Sequence, residues 1–354
     1  MTQTAVAQAS NDGASDRSRL ELPSPYLLFL GDVKRLAYAK TAFGLRDWAG
    51  DRCVGEYALP AAQVSTGLEP MTPAQARLAG ARALVIGVAN EGGVIPQSWV
   101  PALVEAVEAG LDVVSGMHVR LGSVPELAEA ARRCGRRLID IRVPPPHLPI
   151  GSGRKRTGKR LLTVGTDCAL GKKYTALSLA RAFAARGLAA DFRATGQTGI
   201  MIAGAGVPMD AVVADFLSGA AEILSPDAAP DHWDVIEGQG SLYHPGFAGV
   251  TLGLLHGSQP DVFVVCHDPT RQAIIGLPEM PLPSLIDVME LTVALGRRTN
   301  PAIRCGGISL NTSTLPDDEA AAAIAAARAA TGLPAADPLR GGPEFDRLVE
   351  NCLA

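Results

Sequence analysis

The sequence predicts an α/β protein made of two parallel-sheet domains in series. Three observations carry this. Short apolar, β-branched runs alternate with segments of helical periodicity along the whole chain. A Pro-, Gly- and Arg/Lys-rich break at 144–160, PPPHLPIGSGRKRTGKR, divides that alternation in two. The second series opens on an apolar strand that runs into a glycine-rich loop and then a helix, at 161–175.

Taken in order, residues 1–24 lack an apolar stretch and read as a disordered tail. The domain expected over 25–143 has strands at Tyr26–Leu30, Cys53–Leu59, Ala83–Val88, Asp112–Ser115 and Arg137–Val143. Helical spacing over Trp99–Ala109 and Val124–Arg133 lies between them, and Gly110 and Gly135 stand where helix C-caps favour glycine. Strands joined through helices give a Rossmann-like parallel sheet. The segment 144–160 reads as a solvated linker. The domain expected over 161–354 has strands at Arg160–Val164, Ala190–Thr195, Asp234–Glu237, Val262–Cys266 and Ile308–Leu310. A helix runs from Lys172 to about Ala185, and an alanine-rich one from Asp317 ends at Gly332.

The 354 residues carry 32 Lys and Arg against 36 Asp and Glu, a net charge of −4, which argues against a generally basic nucleic-acid binder. No run of about 20 apolar residues is present, so no membrane span is expected. The six cysteines form no Cys-x-x-Cys pair and the histidines no metal-ligand spacing. A cytoplasmic protein without a metal site, acting on a small molecule, is the expectation. A homo-oligomer of closed symmetry is also expected.

The chemistry concentrates in LLTVGTDCALGKKYT, residues 161–175. A strand–loop–helix of this kind points backbone N–H groups and the positive end of a helix at a phosphate. Gly165, Thr166, Asp167, Gly171, Lys172, Lys173 and Thr175 are the expected cradle. Two features depart from the common phosphate loop, making this one a P-loop NTPase-like element with altered chemistry. Five residues separate the glycines, and Lys173 stands where a Ser or Thr hydroxyl would hold Mg²⁺. An anion cradle is kept and a metal ligand lost. Asn311, after the strand GISL, stands where the P-loop folds that this loop resembles recognise a base, or it is a turn residue.

GTDCALGK together with VIEGQG resembles the nucleotide site of dethiobiotin synthetase and its cobyric-acid-synthase relatives, which bind ATP with Mg²⁺. A closer resemblance runs from about Pro25 to Gly342. LGDVKRLAYAKTAFGLRDW, LVIGVANEGGVIPQSWV, FRATGQTGI and WDVIEGQGSLYHPGFAGVTLGLLHGSQPD are similar to a bacterial family long described as of unknown function. That family is associated with D-glutamate N-acetyltransferase. The resemblance implies acetyl transfer from acetyl-CoA to the amine of D-glutamate.

The residues allow that chemistry. The phosphates of acetyl-CoA suit a cradle rich in lysine. An amine acceptor needs a base, and Glu237, His244 and Asp47 are the candidates. They read equally as a buried ion pair, a turn histidine and a salt bridge with Arg46. Two substrate carboxylates call for cations: Lys40, Arg46 and Arg193 are the candidates, with Gln197 and Thr198 on a loop after a strand. Asn90, Gly92 and Gly93 could line the same cleft, and His118 is a weaker candidate. Cys168, near a helix N-terminus that would lower its pKa, could carry an acyl group, although direct transfer is the simpler route. An ATP/Mg-dependent ligase or kinase of the dethiobiotin-synthetase type is the alternative, and a non-catalytic nucleotide-binding regulator the third reading.

Overall fold

The structure, a computed structural model, describes residues 22–354. The first sheet is built from β1 (Tyr26–Gly31), β2 (Cys53–Ala58), β3 (Ala83–Ile86), β4 (Asp112–Ser115) and β5 (Leu138–Asp140). All pairings are parallel, in the order β2-β1-β3-β4-β5. Its helices are α1 (Lys40–Trp48), α2 (Pro73–Leu78), α3 (Val100–Glu108) and α4 (Pro125–Cys134). β1, β3 and β4 are buried along their whole length. Such continuous apolar runs are what a sheet covered on both faces requires.

The second sheet contains β6 (Lys159–Gly165), β7 (Ala190–Arg193), β8 (Trp233–Ile236) and β9 (Val262–His267). After these come a small antiparallel hairpin, β10 (Ala273–Ile274) and β11 (Leu277–Pro281), and then β12 (Arg304–Leu310) and β13 (Ala335–Ala336). The six-stranded order is β13-β12-β9-β6-β8-β7, again parallel throughout. Around it lie α5 (Lys172–Ala185), α6 (Gln197–Ala203), α7 (Leu217–Leu224), α8 (Ala248–Ser258), α9 (Leu285–Gly296), α10 (Asp317–Thr331) and α11 (Gly342–Leu353). Two parallel α/β sheets in series are what the alternating pattern predicted. None of the helices among the described residues is long and apolar enough to cross a membrane.

Three local expectations are corrected. Of the tail expected at 1–24, residues 1–21 lie outside the described residues, while Pro23 is buried and Leu22 packs on the first core. β6 begins at Lys159, inside the expected linker, because Lys159 and Arg160 pair with Trp233 and Asp234 of β8. Of the five basic residues of that linker, Arg154, Lys155 and Lys159 are exposed as expected, but two are not solvated. Arg160 is fully buried and Arg156 nearly so. Arg156 donates to the carbonyls of Ser225 and Gly257, at the ends of α7 and α8. Arg160 donates to those of Ser225, Thr157 and Pro226. Five fixed donors let a guanidinium satisfy the carbonyls that helix ends leave free. Burial, and next the charge of Arg160, push Arg156 down to about 10.

The two domains share a core. Leu177, Ala194, Ile200, Met201 and Ile202 of the second half join the apolar cluster of the first. Helix α1 is the main bridge. Trp48 stacks on Tyr174 with ring centroids 6.0 Å apart, and the Arg181 guanidinium lies 4.0 Å from the centre of the Trp48 ring. Arg181 also donates to the Trp48 carbonyl at 3.0 Å. Thr41 and Thr198 hydroxyls meet at 2.8 Å across the seam. Packing of this kind holds the C-terminal ends of both sheets against one another, the position where open α/β sheets bind ligands.

Candidate active site

The loop between β6 and α5 forms the floor of the site. None of the backbone N–H groups from Asp167 to Lys172 has a protein acceptor among the described residues, whereas Thr166 N–H is tied to the Cys266 carbonyl at 3.1 Å. A run of free amides ending on a 14-residue helix is an anion cradle. Lys172 is buried and folds back over the loop, its Nζ 2.7 Å from the Asp167 carbonyl. Burial pulls its pKa down. Gly238, just after β8, presses on β6 where it leads into the loop: a Cβ there would stand 1.7 Å from the Thr163 carbonyl oxygen.

Other residues expected in the cradle have different partners. Thr175 turns into the sheet, where its hydroxyl meets Ser309 at 2.7 Å and the Gly171 carbonyl at 3.2 Å. Thr166 bonds the Nδ1 of His267 at 3.0 Å. Asp167 faces away from the amides. One of its oxygens takes Arg271 at 2.9 Å and the Ile275 N–H at 2.7 Å, and the other is buried without a partner. Gly171 adopts a left-handed conformation with φ 103°, next to Asn311. The Asn311 side chain accepts from the Ser313 N–H at 3.3 Å, as a turn residue does.

Arg271 is a site residue the sequence did not single out. It donates to the carbonyls of Cys168 and Ala169 as well as to Asp167, so its charge lies across the phosphate loop. Its only sequence signal is a position just after β9.

Cys168 is corrected. Burial, the largest effect, raises its thiol above the usual value, outweighing the neighbouring Lys172. A helix N-terminus does not make it a thiolate here. His244 is also corrected as a base. Its Nδ1 accepts the Gly246 N–H at 3.1 Å, which leaves the proton on Nε2. Packed on Phe247 and close to Asp167 and Cys168, the ring offers a donor.

Glu237 stands at the end of β8 and is 4% exposed. Its Oε2 accepts the N–H groups of Thr195 and Gly196 at 3.0 and 3.1 Å, at the start of α6. Only glycine at 199 permits this, since a Cβ there would stand 2.2 Å from Oε2. Burial raises the Glu237 pKa, opposed by the two amides and by Lys173 and Lys172. Lys173 departs most from expectation. It points away from the cradle into the seam between the domains. There its Nζ lies 4.3 Å from the centre of the Tyr174 ring and feels Glu237 and Lys40.

The acceptor side loses two expected cations. Arg193 is committed to Asp234 at 2.6 Å and to Asp191 at 3.1 Å. Arg46 binds Asp47 at 2.6 Å and the Thr66 carbonyl at 2.8 Å, which also occupies Asp47. Lys40, at the start of α1, is exposed and has no hydrogen bond or ion pair among the described residues. Gln197 and Thr198 open α6 at the seam, Gln197 against Gly116 of the first domain.

With two parallel sheets, a phosphate loop and a strand-end acid in place, comparison with known proteins is informative. A family model described as a P-loop domain of unknown function, DUF1611_C, matches residues 149–349. Its companion, the Rossmann-like domain DUF1611_N, matches residues 52–144. The chain belongs to the DUF1611 family. Two relatives are similar over nearly their full length. A D-glutamate N-acetyltransferase of Tritonibacter scottomollicae is 50% identical over 329 residues, 93% of this chain and 98% of the relative. One from a Pseudoalteromonas species is 47% identical over 332 residues, covering 94% and 99%. A crystal structure of a DUF1611 family protein from Anabaena variabilis superposes with a TM-score of 0.83 at 33% identity, covering 93% of this chain and 99% of that one.

Proposed function

We propose that this protein is a D-glutamate N-acetyltransferase that takes its acetyl group from acetyl-CoA. The observation that carries the reading is the phosphate loop, with free amides, Lys172 folded over them and a lysine where a metal-binding hydroxyl would stand. Such a loop suits a phosphorylated carrier more than a nucleoside triphosphate with Mg²⁺. Similarity over nearly the full length to enzymes of that name supports the same reading.

In this mechanism the amides of residues 167–172, with Lys172 and Arg271, hold the phosphates of acetyl-CoA. The acceptor lies in the seam near Lys40, with α6 and the end of β8 beside it. Its amine attacks the thioester carbonyl, the C–N bond forms, and the C–S bond breaks with CoA leaving as the thiol. His244, as an N–H donor beside the loop, serves to bind and orient. An acetyl-CoA donor supports a cytoplasmic setting for the reaction. Incubation of the protein with acetyl-CoA and D-glutamate, followed by thiol release and mass detection of N-acetyl-D-glutamate, tests the proposal. Absence of both products rejects it.

A further inference from the structure

One step in this reaction still lacks a residue. The acceptor amine is an ammonium in neutral water and must lose a proton before it can attack. Glu237 is at the right strand end but is held by backbone amides. One oxygen is held by two amides, and the other lies under Gly196 beside the Gln239 amide. The two amide donors on Oε2 stabilise the carboxylate form and so weaken Glu237 as an acceptor of an ammonium proton. His244 presents a donor, and Asp47 is paired with Arg46.

Lys173 differs from all three. Its side chain is only part-buried, so a substrate in the seam can touch it. Its ammonium lies 3.5 Å from the point where a Cβ on Gly44 would stand, next to Tyr174 and Thr198. That places it where α1, α5 and α6 converge, within electrostatic reach of Glu237 at the end of β8 and of Lys40 on α1. From the geometry we infer that Lys173 accepts the proton of the acceptor amine, with Glu237 as its buried counter-charge. This rests on the acyl-transfer reading above.

The charged and titratable groups facing Lys173 are Glu237, Lys40 and Tyr174. Burial is the largest influence and, with Lys40, pushes Lys173 down to about 8 against the opposing pull of Glu237. A lysine there is partly neutral in neutral water and matched to an amine donor. The step balances. Neutral Lys173 takes one proton from the substrate ammonium, and the freed lone pair attacks the thioester carbon. Collapse expels the sulfur with its bonding pair, which takes the second nitrogen proton to give the thiol. Lys173 then releases its proton to water.

The test uses full-length Lys173→Ala, Lys173→Met and Lys173→Arg, each checked for an unchanged thermal midpoint. Turnover of Lys173→Ala and Lys173→Met, read as N-acetyl-D-glutamate, is expected to fall by about 10²–10⁴-fold, with the KM for acetyl-CoA nearly unchanged. Lys173→Arg keeps the charge but cannot deprotonate, and is expected to be as slow. Small primary amines added to Lys173→Ala should restore turnover, more so with greater basicity. The acidic limb of kcat/KM should lie near 8 in the wild type. It should move to lower pH in Glu237→Gln, because loss of the counter-charge favours neutral Lys173. Lys173→Arg at more than a third of wild-type turnover, or no rescue by any amine, would overturn the inference. Wild-type protein that makes no N-acetyl-D-glutamate would overturn the acyl-transfer reading and this inference with it.

Discussion

Gly199→Ala probes the site through one contact. The added Cβ would stand 2.2 Å from Glu237 Oε2 and 3.0 Å from its Cδ, so the carboxylate must leave its place. It then loses the N–H groups of Thr195 and Gly196. Hydrogen bonds to a charged partner are worth about 1.5–3 kcal/mol each, so the loss is about 3–6 kcal/mol. Alanine in place of glycine within α6 returns about 1 kcal/mol of helix propensity. The bonds outweigh the propensity, and the net destabilisation is about 2–5 kcal/mol. Denaturant unfolding measures it as a lower midpoint at constant slope. In a Glu237→Ala background the obstacle is gone, and the same substitution should become neutral or stabilise by about 1 kcal/mol. A Gly199→Ala protein within about 0.5 kcal/mol of wild type, with full turnover, would refute the account of how Glu237 is held.

Other substitutions separate the two halves of the site. Lys172→Ala should raise the KM for acetyl-CoA at least about tenfold, the scale of a lost charge-assisted contact, while D-glutamate KM stays near wild type in steady-state kinetics. Arg271→Gln should also raise the acetyl-CoA KM, because the phosphate loop loses the guanidinium across its carbonyls. Arg193→Gln should leave the D-glutamate KM unchanged while lowering stability by about 1–3 kcal/mol, since Asp234 is buried and loses its guanidinium partner, keeping His232. A large rise in that KM would return Arg193 to the acceptor site.

What the sequence makes legible follows from how local each feature is. The strands of both sheets are short apolar runs whose burial needs no distant partner to be inferred. The phosphate loop is readable because its function lies in its own backbone. Helix α1 is different. KTAFGLRDW has no side-chain cap at its N-terminus, and its role rests on Tyr174, Arg181 and Thr198, well over a hundred residues away. Arg193 reads as free because Asp234, its partner on the next strand, is 41 residues further on. Lys173 is identifiable as a departure from the common loop. The direction it takes depends on how α1 and α6 pack beside it. Arg156 and Arg160 look solvated because nothing local shows the helix-end carbonyls they satisfy.

Acyl transfer from a CoA thioester is the central claim, and thiol release measures it most directly. Purified protein with acetyl-CoA and D-glutamate, without ATP or added Mg²⁺, should release free CoA in a one-to-one ratio with N-acetyl-D-glutamate. No CoA release in that mixture, with ATP consumed once ATP and Mg²⁺ are supplied, would contradict it.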